Sequence, residues 1–399
     1  MREVVITIAK GTELMDKQFA CFKCTIMRGG TSKGIFIMNS ELPEGQEERD
    51  KIIKAIFGSP DVRQIDGLGG ADVLTSKLAI IGPSSVENAD IDYTFAQVGI
   101  DTDIVDYKGN CGNISSGVGP FAIDAGLVPV VEPVTTVRIH LTNSGKMLKA
   151  EVPVIDGKAL VDGDYHIDGV PGTGARIGMD WSDSVGAFTG KLLPTGNATD
   201  VIETDEGNFE VSLVDAGNPL VFIAAESLGL AGTESPSEIE SNGNLMATIE
   251  KIRSKAAAIF GLVEAAEDAT AQSPYNPFFA IISPPAPYTA LNGGSIAEKD
   301  IDIVSRLLFM LHTHKTYPIT GTVCTAAASM IPGSIVNRLM RDGAARESML
   351  RIGHPGGVID VEKRSRVEDG NVIVEKISVG RTARKIMEGL VYVRRSVIE

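Results

Sequence analysis

Tryptophan occurs once in 399 residues and cysteine four times. Neither an indole-rich core nor a disulfide framework is therefore available, and a reducing cytoplasm is the expected compartment. Basic residues are the minority, 37 against 52 acidic, for a formal net charge of −15. Phosphate backbones need basic patches and none is evident, so nucleic acid is excluded as a partner. No apolar run approaches the ~20 residues that cross a bilayer, which argues against a membrane. Between Met1 and Met15 the only apolar stretch is Val4–Ala9, preceded by Glu3 and too short for a secretory core. Also missing are a G-x-S-x-G elbow, a strand-borne G-x-G-x-x-G and an H-E-x-x-H pair, so hydrolase, dinucleotide and zinc-protease readings lose ground.

What the chain does have is glycine, 43 residues of it, within 43% hydrophobic and 22% charged residues. That is a soluble globular composition with many tight turns. The length exceeds one ordinary core and predicts two domains. The expected layout is an extension over 1–19, a first domain over 20–196 that recovers a C-terminal strand near 385–399, and a second domain over 197–384. The junction is set by the turn residues Thr195-Gly196-Asn197 and Asp205-Glu206-Gly207.

Apolar periodicity predicts strands at Cys24–Met27, Ile35–Met38, Lys77–Ile81 and Ile91–Ile100, with an amphipathic helix from Glu47 to Phe57 stopped by Gly58. Short strands follow between Thr135 and about Leu193. The second half repeats the plan with strands at 211–214, 220–223 and 278–282 and a helix near 245–260. A further helix is expected over 303–311, and strands at 357–362, 372–379 and 390–393.

Two glycine turns open small-residue helices. Asn110-Cys111-Gly112-Asn113 leads into one, and Thr320-Gly321-Thr322 into the other. Laying Cys111 on Thr320 gives a modest repeat and, with strands flanking both, a pseudo-twofold. The first N–H groups of a helix lack intrahelical partners, and the dipole is positive there. Such an end collects anions and activates a thiol placed on it. Cys111 could instead be an inert buried cysteine, but its turn-forming flanks favour a cleft. With glycines and Pro120 inside it, the first helix must be held by burial rather than propensity.

Lys77 enters the apolar run Leu78-Ala79-Ile80-Ile81. The bland reading is a solvated strand end; the alternative is a desolvated base in a cleft, with a depressed pKa. Arg28-Gly29-Gly30-Thr31-Ser32-Lys33-Gly34 has a phosphate-loop composition without Walker spacing, and suits a carboxylate better. Cys21-x-x-Cys24 has no second cysteine pair and reads as structural. His312-Thr313-His314, taken as helical, does not share a face and makes no metal site.

Three ordered motifs, Met27–Gly34, Gly70-Ala71-Asp72-x-x-Thr75-Ser76-Lys77 and Asn110-Cys111-Gly112-Asn113, resemble the isomerase family that holds 2-methylaconitate cis–trans isomerase and 3-methylitaconate Δ-isomerase. The likeness runs from about Cys24 to the C-terminus, through Thr320–Ala326 and Arg381-Thr382-Ala383-Arg384. The run Phe57–Gly67 leans toward the 3-methylitaconate enzymes. The resemblance implies a mixed α/β, diaminopimelate-epimerase-like fold. Its two pseudo-twofold-related domains each wrap a curved, mostly antiparallel sheet around a central helix. It implies no cofactor and no metal, and a small unsaturated di- or tricarboxylate as the partner; a homo-oligomer is left open.

Carried over by motif, Lys77 is the acid/base, Cys111 its partner and Ser32 a pocket hydroxyl. The substrate set adds Gly30, Thr31, Ser76, Asn110, Gly112, Asn113, Lys315, Thr320, Gly321 and Thr322. Amino-acid epimerases of this fold use a second cysteine where this chain has Thr320, and Cys324 lies a turn too late, so a two-thiol racemase is disfavoured. The expected reaction is a double-bond shift, as from 3-methylitaconate to dimethylmaleate. The alternatives are 2-methylaconitate isomerisation and oxalomesaconate tautomerisation, with a non-catalytic carboxylate binder behind them.

Overall fold

The computed structural model describes residues 18–368 and 371–398; the expectation for Met1–Met15 lies outside the described residues. The chain lays down the same sequence of pairings twice. In the first half β1 (Phe19–Gly29) and β2 (Ser32–Met38) form an antiparallel hairpin. Helix α1 (Gln46–Phe57) then crosses to β3 (Lys77–Pro83), which lies parallel to β2. β4 (Ile91–Val98) returns antiparallel, α2 (Gly112–Asp124) crosses to a parallel β5 (Val134–Leu141), and β6 (Lys146–Ile155) pairs antiparallel with β5. A short β7 (Ile177–Asp180) pairs with β6.

The second half repeats this order: β8 (Gly207–Ala216), β9 (Asn218–Ala224), α3 (Gly243–Ile259), β10 (Phe278–Ser283) and β11 (Ile303–Phe309). Then come α4 (Ile319–Ser329), β12 (Met349–His354) and β13 (Gly357–Glu368). Their pairings run antiparallel, parallel, antiparallel, parallel, antiparallel, as in the first half. β14 (Asn371–Arg381) pairs with both β13 and β7, and β15 (Ala383–Arg394) returns to β1, so the two sheets are continuous.

Burial explains each element. Ile52, Ile53, Ile56 and Phe57 make one buried face of α1, and Gly58 ends the helix at φ 73°, a left-handed conformation that suits glycine. With α1 on one face and α2 on the other, the β3 segment Leu78–Ile81 is buried throughout. α3 covers the outer face of the second sheet in the same way. α2 and α4 are buried nearly all round inside their sheets. In α2 a Cβ on Gly117 would meet the Phe36 ring at 2.8 Å, so the poor helix formers are what let helix and sheet approach.

The helix expected over 303–311 is a strand, β11. It is a short, wholly buried and largely apolar segment between β10 and β12, a pattern that periodicity alone does not distinguish from a buried helix. Met310 and Leu311, at φ 49° and 57°, turn it into the short strand His312–Thr313. His312 and His314 are thus not helical, which corrects the premise used for them; His312 is exposed and His314 buried. No helix among the described residues is long and apolar enough to cross a membrane.

Candidate active site

The two inner helices meet end to end. A Cβ on Gly112, at the start of α2, would sit 2.4 Å from Cβ of Ile319, at the start of α4. Only glycine allows so close an approach. The seam is locked by a reciprocal amide pair: the Asn110 N–H donates to Asn218 Oδ1 at 3.0 Å, and Asn218 Nδ2 donates to the Asn110 carbonyl at 3.0 Å. Asn218 Nδ2 also donates to Thr320 Oγ1 at 3.0 Å, tying the second helix start to the first.

At this seam lies a cavity with about 260 Å³ of empty space, of which about 10 Å³ admits the centre of a water molecule. Ser32, Lys77, Cys111, Gly112, Asn113 and Thr320 line it on the polar side. Tyr275, Phe278, Phe309 and His314 are among its other walls. Larger cavities lie elsewhere, with about 350 and 330 Å³ admitting a water centre against about 10 Å³ here, but neither touches Lys77 or Cys111.

Lys77 is 2% exposed, so the solvated-end reading gives way to a desolvated amine. Nζ donates to Gln97 Oε1 at 2.8 Å and stands 5.4 and 5.5 Å from the Phe95 and Phe309 ring centroids. Gln97 is oriented for this by its own Nε2, which donates to the Ser76 and Val73 carbonyls at 3.0 and 3.3 Å. Burial pushes the Lys77 pKa down; the nearby Cys111 thiol and the charge of Asp72 oppose this only in part.

Cys111 is the N-cap of α2, and its carbonyl receives the N–H and Oγ of Ser115 at 2.9 and 2.8 Å. Burial holds the neighbouring Tyr93 and Tyr275 phenols well above their ordinary pKa, and therefore neutral. Ser32 Oγ is buried at the cavity with no protein partner, a hydroxyl left free for a ligand.

The structure separates the expected residues. Thr322 does not face the cavity: its N–H and Oγ1 both donate to the Pro318 carbonyl, at 2.8 and 3.0 Å. Gly321 packs against Leu307 and Pro318. Ser76 Oγ donates to the Val98 carbonyl at 2.9 Å and is used up within the fold. Lys315 is exposed and pairs with Asp72 at 2.8 Å, bridging the halves outside the cavity. Gly30 is a turn residue at φ 52°, and Asn110 serves the seam. Thr31 lines the neighbouring 330 Å³ cavity and receives a hydrogen bond from Thr316.

The laying of Cys111 on Thr320 is also two residues out. Ser115 bonds back to Cys111 as Thr322 does to Pro318, so the caps correspond as Cys111 to Pro318 and Asn113 to Thr320. Cys324 is fully buried, its thiol directed to the Val214 carbonyl at 3.3 Å, away from the cavity.

His314 was missed. Its Nδ1 accepts from the Thr316 N–H at 3.2 Å, which places the proton of the neutral ring on Nε2. Burial, and next the charge of Lys77, hold its pKa down at about 3. A neutral imidazole donor therefore stands beside Lys77. The one sequence signal was His314 itself, which was weighed only as a metal ligand.

Two helix-centred sheets related by a repeated strand order, with a lysine and a thiol between their helix starts, define the diaminopimelate-epimerase-like class. A crystal structure of hydroxyproline epimerase from Agrobacterium vitis shares that fold, with TM-score 0.54, 12% identity, and 94% and 92% of the two chains covered. Within the class, the family model described as PrpF protein matches residues 20–394, and the chain belongs to that family. It is 55% identical to 3-methylitaconate isomerase of Eubacterium barkeri over 374 residues, 94% of this chain and 97% of that one. The crystal structure of methylitaconate-delta-isomerase superposes with TM-score 0.78 at 54% identity, covering 96% and 98% of the two chains.

Proposed function

We propose that the chain is a cofactor-independent isomerase that moves an allylic proton in a small branched unsaturated dicarboxylate, converting 3-methylitaconate to dimethylmaleate. The observation that carries the reading is that Lys77 and Cys111 line one cavity walled by two helix starts. The 55% identity to a 3-methylitaconate isomerase favours this acid over the family's others.

In the proposed reaction Lys77, with its depressed pKa, removes the proton on the methyl-bearing carbon alpha to one carboxylate. The C–H electron pair becomes part of a dienediolate, and the double bond moves into the chain. A proton from Cys111 forms the new C–H bond at the former methylene carbon, giving a methyl group. Proton transfer from Lys77 back to Cys111 across the cavity they share restores the pair. The carbon acid is weak, so stabilising the enediolate is the main task. The free N–H groups at the starts of α2 and α4, the Ser32 hydroxyl and the His314 Nε2–H would do it. Four free cysteines among the described residues support the cytoplasm as the compartment.

Incubation with 3-methylitaconate in deuterated water, followed by NMR, should show dimethylmaleate carrying deuterium in one methyl group. No turnover of this acid overturns the reading. Parallel incubations with 2-methylaconitate and oxalomesaconate report the alternatives.

A further inference from the structure

Beside the reaction cavity lies the second one, of about 330 Å³. The wall between them is a hydroxyl contact, Thr316 Oγ1 donating to Thr31 Oγ1 at 3.0 Å. Both threonines line the larger cavity, while their neighbours Ser32 and His314 line the smaller. With about 10 Å³ of water-accessible space, the smaller cavity cannot contain a whole dicarboxylate. The rest of such a substrate must extend beyond it.

Arg381, the last residue of β14, lines the larger cavity and is 4% exposed. Its Nη1 donates to the Gly380 carbonyl at 2.9 Å, while Nε has no partner. Among the described residues no carboxylate forms an ion pair with it. Asp168, on the same wall, is engaged by the Val358 N–H at 2.6 Å and by His166 at 3.2 Å. Burial raises the Asp360 pKa while the charges of Arg351 and Arg381 oppose it, so Asp360 is the near carboxylate that acts on Arg381 without pairing with it. A buried guanidinium with no carboxylate in contact is poorly compensated, and burial pushes the Arg381 pKa down to about 10 despite the charge of Asp360, so an anion that met it directly would be favoured. The charges of Lys77 and Arg381 both act on His314, so both cations stand near that ring.

We propose that Arg381 binds the substrate carboxylate remote from the reacting carbon, and so selects diacids over monoacids. The inference rests on the isomerase reading above. Its geometric basis is a buried guanidinium, with no carboxylate in ion-pair contact, in the cavity next to the one that Lys77 and Cys111 line. A planar guanidinium suits a carboxylate, offering two parallel N–H donors.

The test uses the full chain with Arg381→Met and Arg381→Lys. Steady-state rates with 3-methylitaconate are compared with calorimetric binding of methylsuccinate, a saturated dianion, and isobutyrate, a monoanion. For Arg381→Met, KM should rise about 30-fold or more, with kcat changing by less than about threefold, because this contact serves ground and transition state alike. Methylsuccinate affinity should fall in proportion and isobutyrate affinity stay unchanged, a split that a merely structural role would not produce. Arg381→Lys should fall between; if Arg381→Met does not fold, this variant decides, and unchanged KM overturns the proposal.

Should the wild type isomerise the diacid while Arg381→Met binds methylsuccinate normally, the subsite fails and the isomerase reading stands. Should the wild type turn over no diacid yet bind methylsuccinate through Arg381, the isomerase reading fails and the subsite stands.

Discussion

In the first half, Lys77 opens a strand parallel to β2 and faces Gln97 across β4; in the second half, the same two positions hold Phe278 and Phe309. The registers make the match. Gly34, two residues into β2, pairs with Lys77, and Leu220, two residues into β9, pairs with Phe278. Lys77 pairs with Gln97, and Phe279 with Leu308, which puts Phe278 opposite Phe309 one step along. One frame therefore carries a buried amine with its amide partner in one copy and a pair of rings 5.8 Å apart in the other. The thiol follows the same rule, with Cys111 at one helix cap and Pro318 at the other. Repetition supplies two helix starts, whereas the proposed proton-transfer groups, Lys77 and Cys111, both lie in the first half. The ringed side removes water from the amine and lowers its pKa. An arrangement with both transfer groups on one side suits moving a proton along one face of a planar diacid. It does not suit inversion of a stereocentre, which needs acids on opposite faces.

The largest effect should come from exchanging the roles of these equivalent positions. Lys77→Ala removes the proposed base and should lower kcat about a thousandfold with little change in Tm. Phe278→Ala empties a buried ring site and should cost about 3–5 kcal/mol of stability, while kcat falls less than about tenfold. Rates and thermal melts of the two variants check this. Equal losses of activity would mean that the halves are not divided as described.

Cys111→Ser comes next. Serine keeps a good N-cap for α2, so the fold should be preserved while turnover falls about a hundredfold. If Lys77 withdraws the proton and Cys111 returns it, loss of the substrate's α-hydrogen to deuterated water should fall less than product formation. NMR of the same reaction measures both. Equal reductions would assign both transfers to Lys77.

Much of this was legible in the residues, for local reasons. The small-residue run after Asn110 announced a helix that only burial could hold, and Gly112 is where two helix ends touch. The motif around Lys77 located the amine, but not its burial. The strand shows only its own apolar run, whereas Phe309, which closes over Lys77, lies 232 residues further along. The Ile303–Phe309 strand was misread because it is buried throughout, Ser305 and Arg306 included, so its apolar residues show no strand alternation. Asn218 has no local signature, and Arg381 was read only as part of the run Arg381-Thr382-Ala383-Arg384, with no role assigned to it. Their meaning comes from what lies across the seam, Asn110 in one case and an unfilled cavity in the other.

The smallest effect concerns His314, which the second half contributes to the amine of the first. Its ordinary pKa is 6.5 and its folded value about 3, so burial disfavours its charged form in the native state. As pH falls below about 6.5 the unfolded chain takes up a proton here and the native chain does not. Stability from this group is thus present above that pH and declines toward pH 3. The slope from one proton is at most about 1.4 kcal/mol per pH unit, on the order of 1–3 °C of Tm in a chain this size. His354, likewise buried and pushed well below its ordinary value, adds a similar slope. In His314→Asn the side-chain oxygen can accept the Thr316 N–H, so Tm near pH 7.5 should change little while its decline between pH 6.5 and 4.5 becomes shallower. In Lys77→Ala, with one of the depressing charges gone, the His314 contribution should shrink too, though less. Thermal melts across that range in all three proteins decide it. Parallel curves would show that the ring is not held neutral in the folded chain, and that the amine stands beside a cation instead of a hydrogen-bond donor.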